Sequence, residues 1–124
     1  YTYDIFLNEF ILNDFRITNV SSFVFFNNSL IVQNNNILEA YNLKNGNIFW
    51  SLNIDKKINK KNKIIKAESF NNNLYVFFDN GKVLIIQSGE IIDIIDLKVK
   101  NINLIYFQDD KLFVSLENGK TVLF

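Results

Sequence analysis

Three turn-and-strand signatures recur along this chain, and that repetition limits the possible folds more than any single residue does. Phe26-Asn27-Asn28-Ser29-Leu30 is answered by Phe70-Asn71-Asn72-Asn73-Leu74, and then by Phe107-Gln108-Asp109-Asp110-Lys111-Leu112. Leu30, Leu74 and Leu112 therefore stand 44 and 38 residues apart. After each leucine comes a second turn signal: Asn34-Asn35-Asn36, then Asp79-Asn80-Gly81-Lys82, then Glu117-Asn118-Gly119-Lys120. The runs between turns are rich in Val, Ile, Phe, Tyr and Leu, the composition of antiparallel strands joined by hairpins. The Asn-Gly pairs predict two-residue hairpin loops in which both positions take positive φ.

Strands are expected at 20–26, 29–33, 37–43 and 48–54, then at 64–70, 74–78, 83–87 and 91–97, then at 102–107, 111–116 and 121–124. A repeat of about 40 residues holding four short strands reads as a β-propeller blade. Nothing alternates strand with a long helical pattern, which disfavours an α/β fold. Runs such as Val83-Leu84-Ile85-Ile86 and Leu74-Tyr75-Val76-Phe77-Phe78 are apolar on both faces, as expected of strands sandwiched between blades. The chain accordingly divides into 1–19, a remnant of a preceding blade or an inter-blade loop; 20–54, a blade; 55–63, a Lys-rich inter-blade loop; 64–97, a second blade; and 98–124, a third blade lacking its last strand. In residues 1–19 the spacing of Phe6, Phe10 and Asn13 is roughly helical, while Ile11-Leu12 and Phe15-Arg16-Ile17 suit a strand or loop. Such an arc leaves edges open, so the remaining blades or another chain must close the ring. The missing fourth strand of the last blade is expected from the chain's own N-terminal region or from another copy.

Composition narrows function mainly by exclusion. The 13 Lys and Arg balance the 13 Asp and Glu, so the basic excess of a nucleic-acid binder is missing. Cys and His are absent, which removes thiolate chemistry and the commonest acid–base group and metal ligand. No apolar run is long enough for a membrane span. The chain holds no Met and opens on Tyr1, so we expect an excerpt of something longer. Asn, Ile and Lys are plentiful and Pro is absent, a bias of AT-rich coding more than of function. Lys56, Lys57, Lys60, Lys61 and Lys63 crowd the 55–63 loop. They read either as a solvated loop or as a patch for anionic lipid or an acidic partner. Asp93 and Asp96 lie three apart on a strand, point to opposite faces and make a poor metal pair. No catalytic constellation is visible, no cofactor or metal site is expected, and the chain is read as non-enzymatic.

One segment carries a more specific pattern. Ala40-Tyr41-Asn42-Leu43-Lys44-Asn45-Gly46-Asn47-Ile48-Phe49-Trp50 resembles the tryptophan-docking repeat of the pyrroloquinoline-quinone (PQQ) type propellers, Ala-x-Asp-x-x-Thr-Gly-x-x-x-Trp. Ala40, Gly46 and Trp50 match it, while Asn42 and Asn45 stand where Asp and Thr are usual and can still bond the turn backbone. The resemblance implies that Ala40 leaves room for a docked indole, Gly46 takes positive φ, and Trp50 packs on the next blade. The second unit has a worn copy around Gly89, with no Trp after it.

Within this superfamily, two branches are relevant. The PQQ-dependent dehydrogenases need carboxylate, Arg and calcium-binding groups, and here Arg16 is the only arginine. The run from Phe15-Arg16-Ile17-Thr18-Asn19-Val20 to the Trp50 motif, with the ending Asp110–Val122, is similar to the BamB-type propeller lipoproteins of outer-membrane β-barrel assembly. That resemblance implies a periplasmic, outer-membrane-associated scaffold whose loops bind a barrel-assembly subunit, with Arg16 and Asn19 in a partner-facing loop. Part of a PQQ-dependent dehydrogenase, or a propeller interaction module of another role, are the alternatives.

Overall fold

The computed structural model describes residues 2–12, 15–54, 58, 61–109 and 111–124. Fourteen strands form four antiparallel sheets, and no helix occurs among the described residues. The first sheet joins β1 (Thr2–Asp4), β2 (Glu9–Leu12) and β3 (Phe15–Ile17). The second runs β4 (Ser22–Phe26), β5 (Ser29–Asn34), β6 (Ile37–Asn42) and β7 (Ile48–Asn53). The third runs β8 (Ile64–Phe70), β9 (Asn73–Phe78), β10 (Lys82–Gln87) and β11 (Glu90–Asp96). The last holds β12 (Ile102–Gln108), β13 (Lys111–Leu116) and β14 (Thr121–Leu123).

Among the described residues, each strand pairs only with its neighbour in sequence. The all-β, four-stranded blade expected from the repeat is what the chain forms. The N-terminal segment, where rough helical spacing stood beside runs suited to a strand or loop, folds as a three-stranded sheet. Its short strands, of 3 or 4 residues, give alternation too little length to register in sequence.

The sheets stack face to face, and the inner strands are buried on both sides. Leu30, Ile31, Val32 and Gln33 of β5 are all buried, as are Val83, Leu84, Ile85 and Ile86 of β10. Between the first two sheets, Phe10 stacks on Tyr3 at 4.6 Å and meets Phe23 edge-on at 4.6 Å. Between the second and third lie Ile31, Leu38, Ala40, Ala67, Val76, Phe78 and Leu84, together with Ile58 of the Lys-rich loop. Phe77 and Val83 meet Ile105 and Val114 between the third and fourth. The first strands β4, β8 and β12 lie side by side along one edge of the stack, the arrangement of innermost strands around a common axis.

A buried polar link ties the second sheet to the third. Ser22 Oγ donates to Gln33 Oε1 at 2.8 Å and accepts from the Ile64 backbone N–H at 3.1 Å. Lys63 Nζ adds a bond to the Ser21 carbonyl at 2.7 Å. Most of the Lys-rich loop (Asp55, Lys56, Lys57, Asn59 and Lys60) lies outside the described residues, and so does Asn13.

Among the described residues the ring is not closed: β14 pairs only with β13, and β1 only with β2. Thr2–Asp4 pairs within its own sheet and does not add to the last one. Leu104, Tyr106, Phe113 and Leu123 share the outward face of the last sheet, where Tyr106 stacks on Phe113 at 5.0 Å.

The turns correct a second expectation. In the Asn-Gly loops only the glycine has positive φ, at 85° for Gly81 and 88° for Gly119. Gly81 N–H bonds the Phe78 carbonyl at 3.1 Å and Gly119 N–H the Leu116 carbonyl at 3.0 Å. This is a turn followed by a left-handed glycine that bulges the strand, not a two-residue loop. The Asn side chains bond forward instead, Asn80 Oδ1 to Lys82 N–H and Asn118 Oδ1 to Lys120 N–H. Paired positive φ occurs at Asn71-Asn72 and at Ser88-Gly89. Asn8, Asn19, Asn27, Asn35 and Asn101 are left-handed as well, so asparagine does here much of what glycine does elsewhere.

Candidate functional site

The Trp50 motif is a fastening between sheets. Ala40 and Trp50 are cross-strand partners on β6 and β7, next to a bulge at Ala40/Tyr41. The turn joining them is closed by its own asparagines. Asn42 Oδ1 accepts from Lys44 N–H at 2.8 Å, and Asn45 Oδ1 from Asn47 N–H at 2.9 Å. Gly46 N–H bonds the Asn42 carbonyl at 2.8 Å and takes a φ of 74°. Trp50 reaches across to the third sheet, where a Cβ on Gly89 would sit 3.2 Å from the Trp50 Cβ.

The same device occurs one sheet earlier, unmarked by any contiguous motif. A Cβ on Gly46 would collide with the ring of Phe15 from β3. So Phe15 sits on Gly46 as Trp50 sits on Gly89: an aromatic from the last strand of one sheet covers a left-handed glycine of the next. In the third sheet the register replaces Ala40 and Trp50 with Ile85 and Asp93. Asp93 is exposed, and a cleft of about 740 Å³, walled by Tyr75, Phe77 and Phe107, opens between the third and fourth sheets.

The residues expected in a partner-facing loop separate. Arg16 lies in β3, not in a loop, and pairs with Glu9 at 2.9 Å. Asn19 is exposed in the β3–β4 connection with a φ of 55°. Among the described residues, no group of three or more His, Cys, Asp and Glu could hold a metal. None holds a helix long and apolar enough to cross a membrane. Asp96 is bonded by Lys82 Nζ at 2.7 Å and by the Lys98 N–H, which together hold its carboxyl below the usual range.

Among the described residues, Tyr41 is strongly displaced. Burial, then the charge of Glu39 and the 3.0 Å hydrogen bond to its Oε1, raise the phenol from 10.0 to about 12. A folded pKa above the unfolded one stabilises the fold fully below pH 10, and that contribution is lost as pH rises toward 12. Base titration followed by tyrosinate absorbance should therefore show stability falling across this window, and Tyr41→Phe should flatten the fall.

Sequence comparison leaves the chain without a family: no family profile matches it, and no curated protein does. Solved structures do. BamB from Moraxella catarrhalis superposes with a TM-score of 0.56 at 14% identity, over 82% of this chain and 30% of that one. BBS1N, solved in complex with ARL6DN, gives 0.58 at 15% identity, over 90% of this chain and 39% of that one. The computationally designed Ika4 protein gives 0.55 at 15%, over 86% of this chain and 66% of that one. The fold is an arc of β-propeller blades. The chain spans less than half the length of the BamB and BBS1N chains it resembles.

The site feature that sequence reading missed is the β1–β2 turn. Ile5, Phe6 and Leu7 are 69%, 90% and 61% exposed. Their backbone is fixed, because Asp4 Oδ1 accepts from both Phe6 N–H at 2.9 Å and Leu7 N–H at 3.1 Å. Beside them Asn8, at a φ of 53°, receives the Tyr3 hydroxyl and offers its carbonyl to the Val20 N–H.

Proposed function

We propose that this chain is part of a non-catalytic propeller scaffold that binds protein partners, working in the periplasm in outer-membrane β-barrel protein assembly. The observation that carries the binding role is the β1–β2 turn: three successive large apolar side chains held in water by a carboxylate-fixed backbone. Exposed apolar side chains on an ordered turn suit a partner's pocket, since little ordering is left to do on binding. The BamB-like blade motif and fold support the setting.

Co-purification from a cell envelope tests both parts. The wild-type chain should retain a barrel-assembly subunit, and Phe6→Ser should weaken that capture about 30-fold, the loss of roughly 2 kcal/mol at an anchoring side chain. Because Phe6 touches solvent, its melting temperature should hold. Equal capture by the variant removes the turn from the interface, and capture of no assembly subunit removes the periplasmic setting.

A further inference from the structure

The chain's net charge of zero hides a separation between its two ends. At one end the β1–β2, β9–β10 and β13–β14 turns meet the connections that lead from sheet to sheet. Backbone bonds tie them together: Val20 N–H to the Asn8 carbonyl at 3.0 Å, Asp79 N–H to the Lys63 carbonyl at 2.9 Å, Leu97 N–H to the Gly81 carbonyl at 2.9 Å, and Glu117 N–H to the Asn101 carbonyl at 2.8 Å. Lys61, Lys63, Lys98, Lys100 and Lys120 are exposed along this end. Of the described acids there, Asp96 is bonded to Lys82, Glu9 to Arg16, and Asp4 to the N–H groups of its own turn. Asp79 and Glu117 stand among the lysines. In the described turns of the opposite end, the exposed charges are Lys44 and Lys111 against Glu90 and Asp109.

The apolar β1–β2 turn belongs to the lysine-bearing end, and two bonds fix how near the cations lie. Val20 is held to Asn8, the residue after Leu7, and the next residue, Ser21, receives Lys63 Nζ on its carbonyl at 2.7 Å. Ile5, Phe6 and Leu7 therefore stand beside the connection that carries Lys61 and Lys63.

A surface that seats this turn has to answer both features. The apolar side chains give affinity by leaving water, while cations at the edge of the contact set the choice of partner and the speed of encounter. Facing a basic rim they are repelled, and facing carboxylates they are matched. Asp79 and Glu117 interrupt the lysines, so this end alternates in sign. A protein surface can be patterned to fit that alternation, whereas a uniformly anionic lipid plane repels the acids.

We propose that the partner seating the β1–β2 turn presents an apolar pocket edged by aspartate and glutamate, and that the lysine-bearing end of the arc lies across that edge. This rests on the reading of the turn as a protein-binding element and adds the partner's charge to it.

The chain is offered a solubilised cell envelope at about 50 mM and about 300 mM salt, and the barrel-assembly subunit it retains is quantified. Wild type should retain about tenfold less at the higher salt. Lys61→Glu/Lys63→Glu and Lys98→Glu/Lys100→Glu should each lose about tenfold at low salt and show a flatter salt dependence. Lys44→Glu/Lys111→Glu makes the same change in net charge at the opposite end and should behave as wild type. Lys63 also holds the Ser21 carbonyl, so melting temperatures are measured, and Lys98→Glu/Lys100→Glu carries the test if the other pair is destabilised. Phe6→Ser should weaken capture by the same factor at both salts. The proposal is overturned, with the protein-binding reading intact, if Phe6→Ser weakens capture while both lysine pairs of this end behave as Lys44→Glu/Lys111→Glu does. If no assembly subunit is retained, both fall. It is likewise overturned if the chain floats with vesicles of phosphatidylglycerol and phosphatidylcholine, but not of phosphatidylcholine alone, and the variants rank there as predicted for the subunit, which would assign this end to a lipid surface.

Discussion

Gly81→Ala is expected to cost about 3 kcal/mol of stability and to lower the melting temperature by about 10 °C. Two effects combine there. Gly81 sits at a φ of 85°, where any L side chain is strained by about 1–2 kcal/mol. A Cβ would also collide with the carbonyl oxygen of Val99, in the connection from β11 to β12. That oxygen belongs to the backbone, so it cannot swing aside as a flexible side chain would. Gly119→Ala is the internal control: its φ is 88°, yet nothing lies within 4 Å of the added Cβ. It should lose only the conformational part, about 1 kcal/mol. Calorimetry on the two variants separates strain from collision, and equal losses would show that the approach of Val99 to Gly81 has no energetic weight.

Trp50→Ala should be of similar size, about 3 kcal/mol, within the range for removing a large aromatic from an interior contact. The indole lies against the cluster between the second and third sheets and covers Gly89. Its loss leaves an opening that rigid strands on both sides cannot close. Trp50→Phe should recover about half, because the ring at the equivalent place one sheet earlier is itself a phenylalanine, Phe15 on Gly46. Thermal unfolding followed by circular dichroism checks the pair. A loss under about 1 kcal/mol for Trp50→Ala would mean that the sheets hold together without this fastening.

How far the fold could be read in the sequence depends on what wrote the pattern. Strands of the second and third sheets were legible because five to seven residues suffice for an apolar run bounded by asparagine or glycine. The first sheet was legible only in part, since strands of three or four residues carry at most two periods of alternation. Trp50 stood out because its motif is contiguous, whereas Phe15 and Gly46 come from different sheets and form no motif at all. The Asn-Gly turns were misassigned for a physical reason: hydrogen bonds from the Lys82 and Lys120 N–H groups back to Asn80 Oδ1 and Asn118 Oδ1 favour a longer, bulged loop. The exposure of Phe6 has no sequence signal, because it depends on what the fold fails to place beside it.

Because every hydrogen-bonded strand pair is formed by adjacent segments, no sheet waits for a distant part of the chain. Each can zip up as soon as its own hairpins close, at little loop-closure cost. Cooperativity must then come from between the sheets, from Phe15 on Gly46, Trp50 on Gly89 and the Ser22–Gln33 link to Ile64. The last junction has Asp93 where the aromatic would stand. That junction lacks this fastening, so native-state hydrogen exchange should find the β12–β14 sheet opening on its own, before the others unfold together.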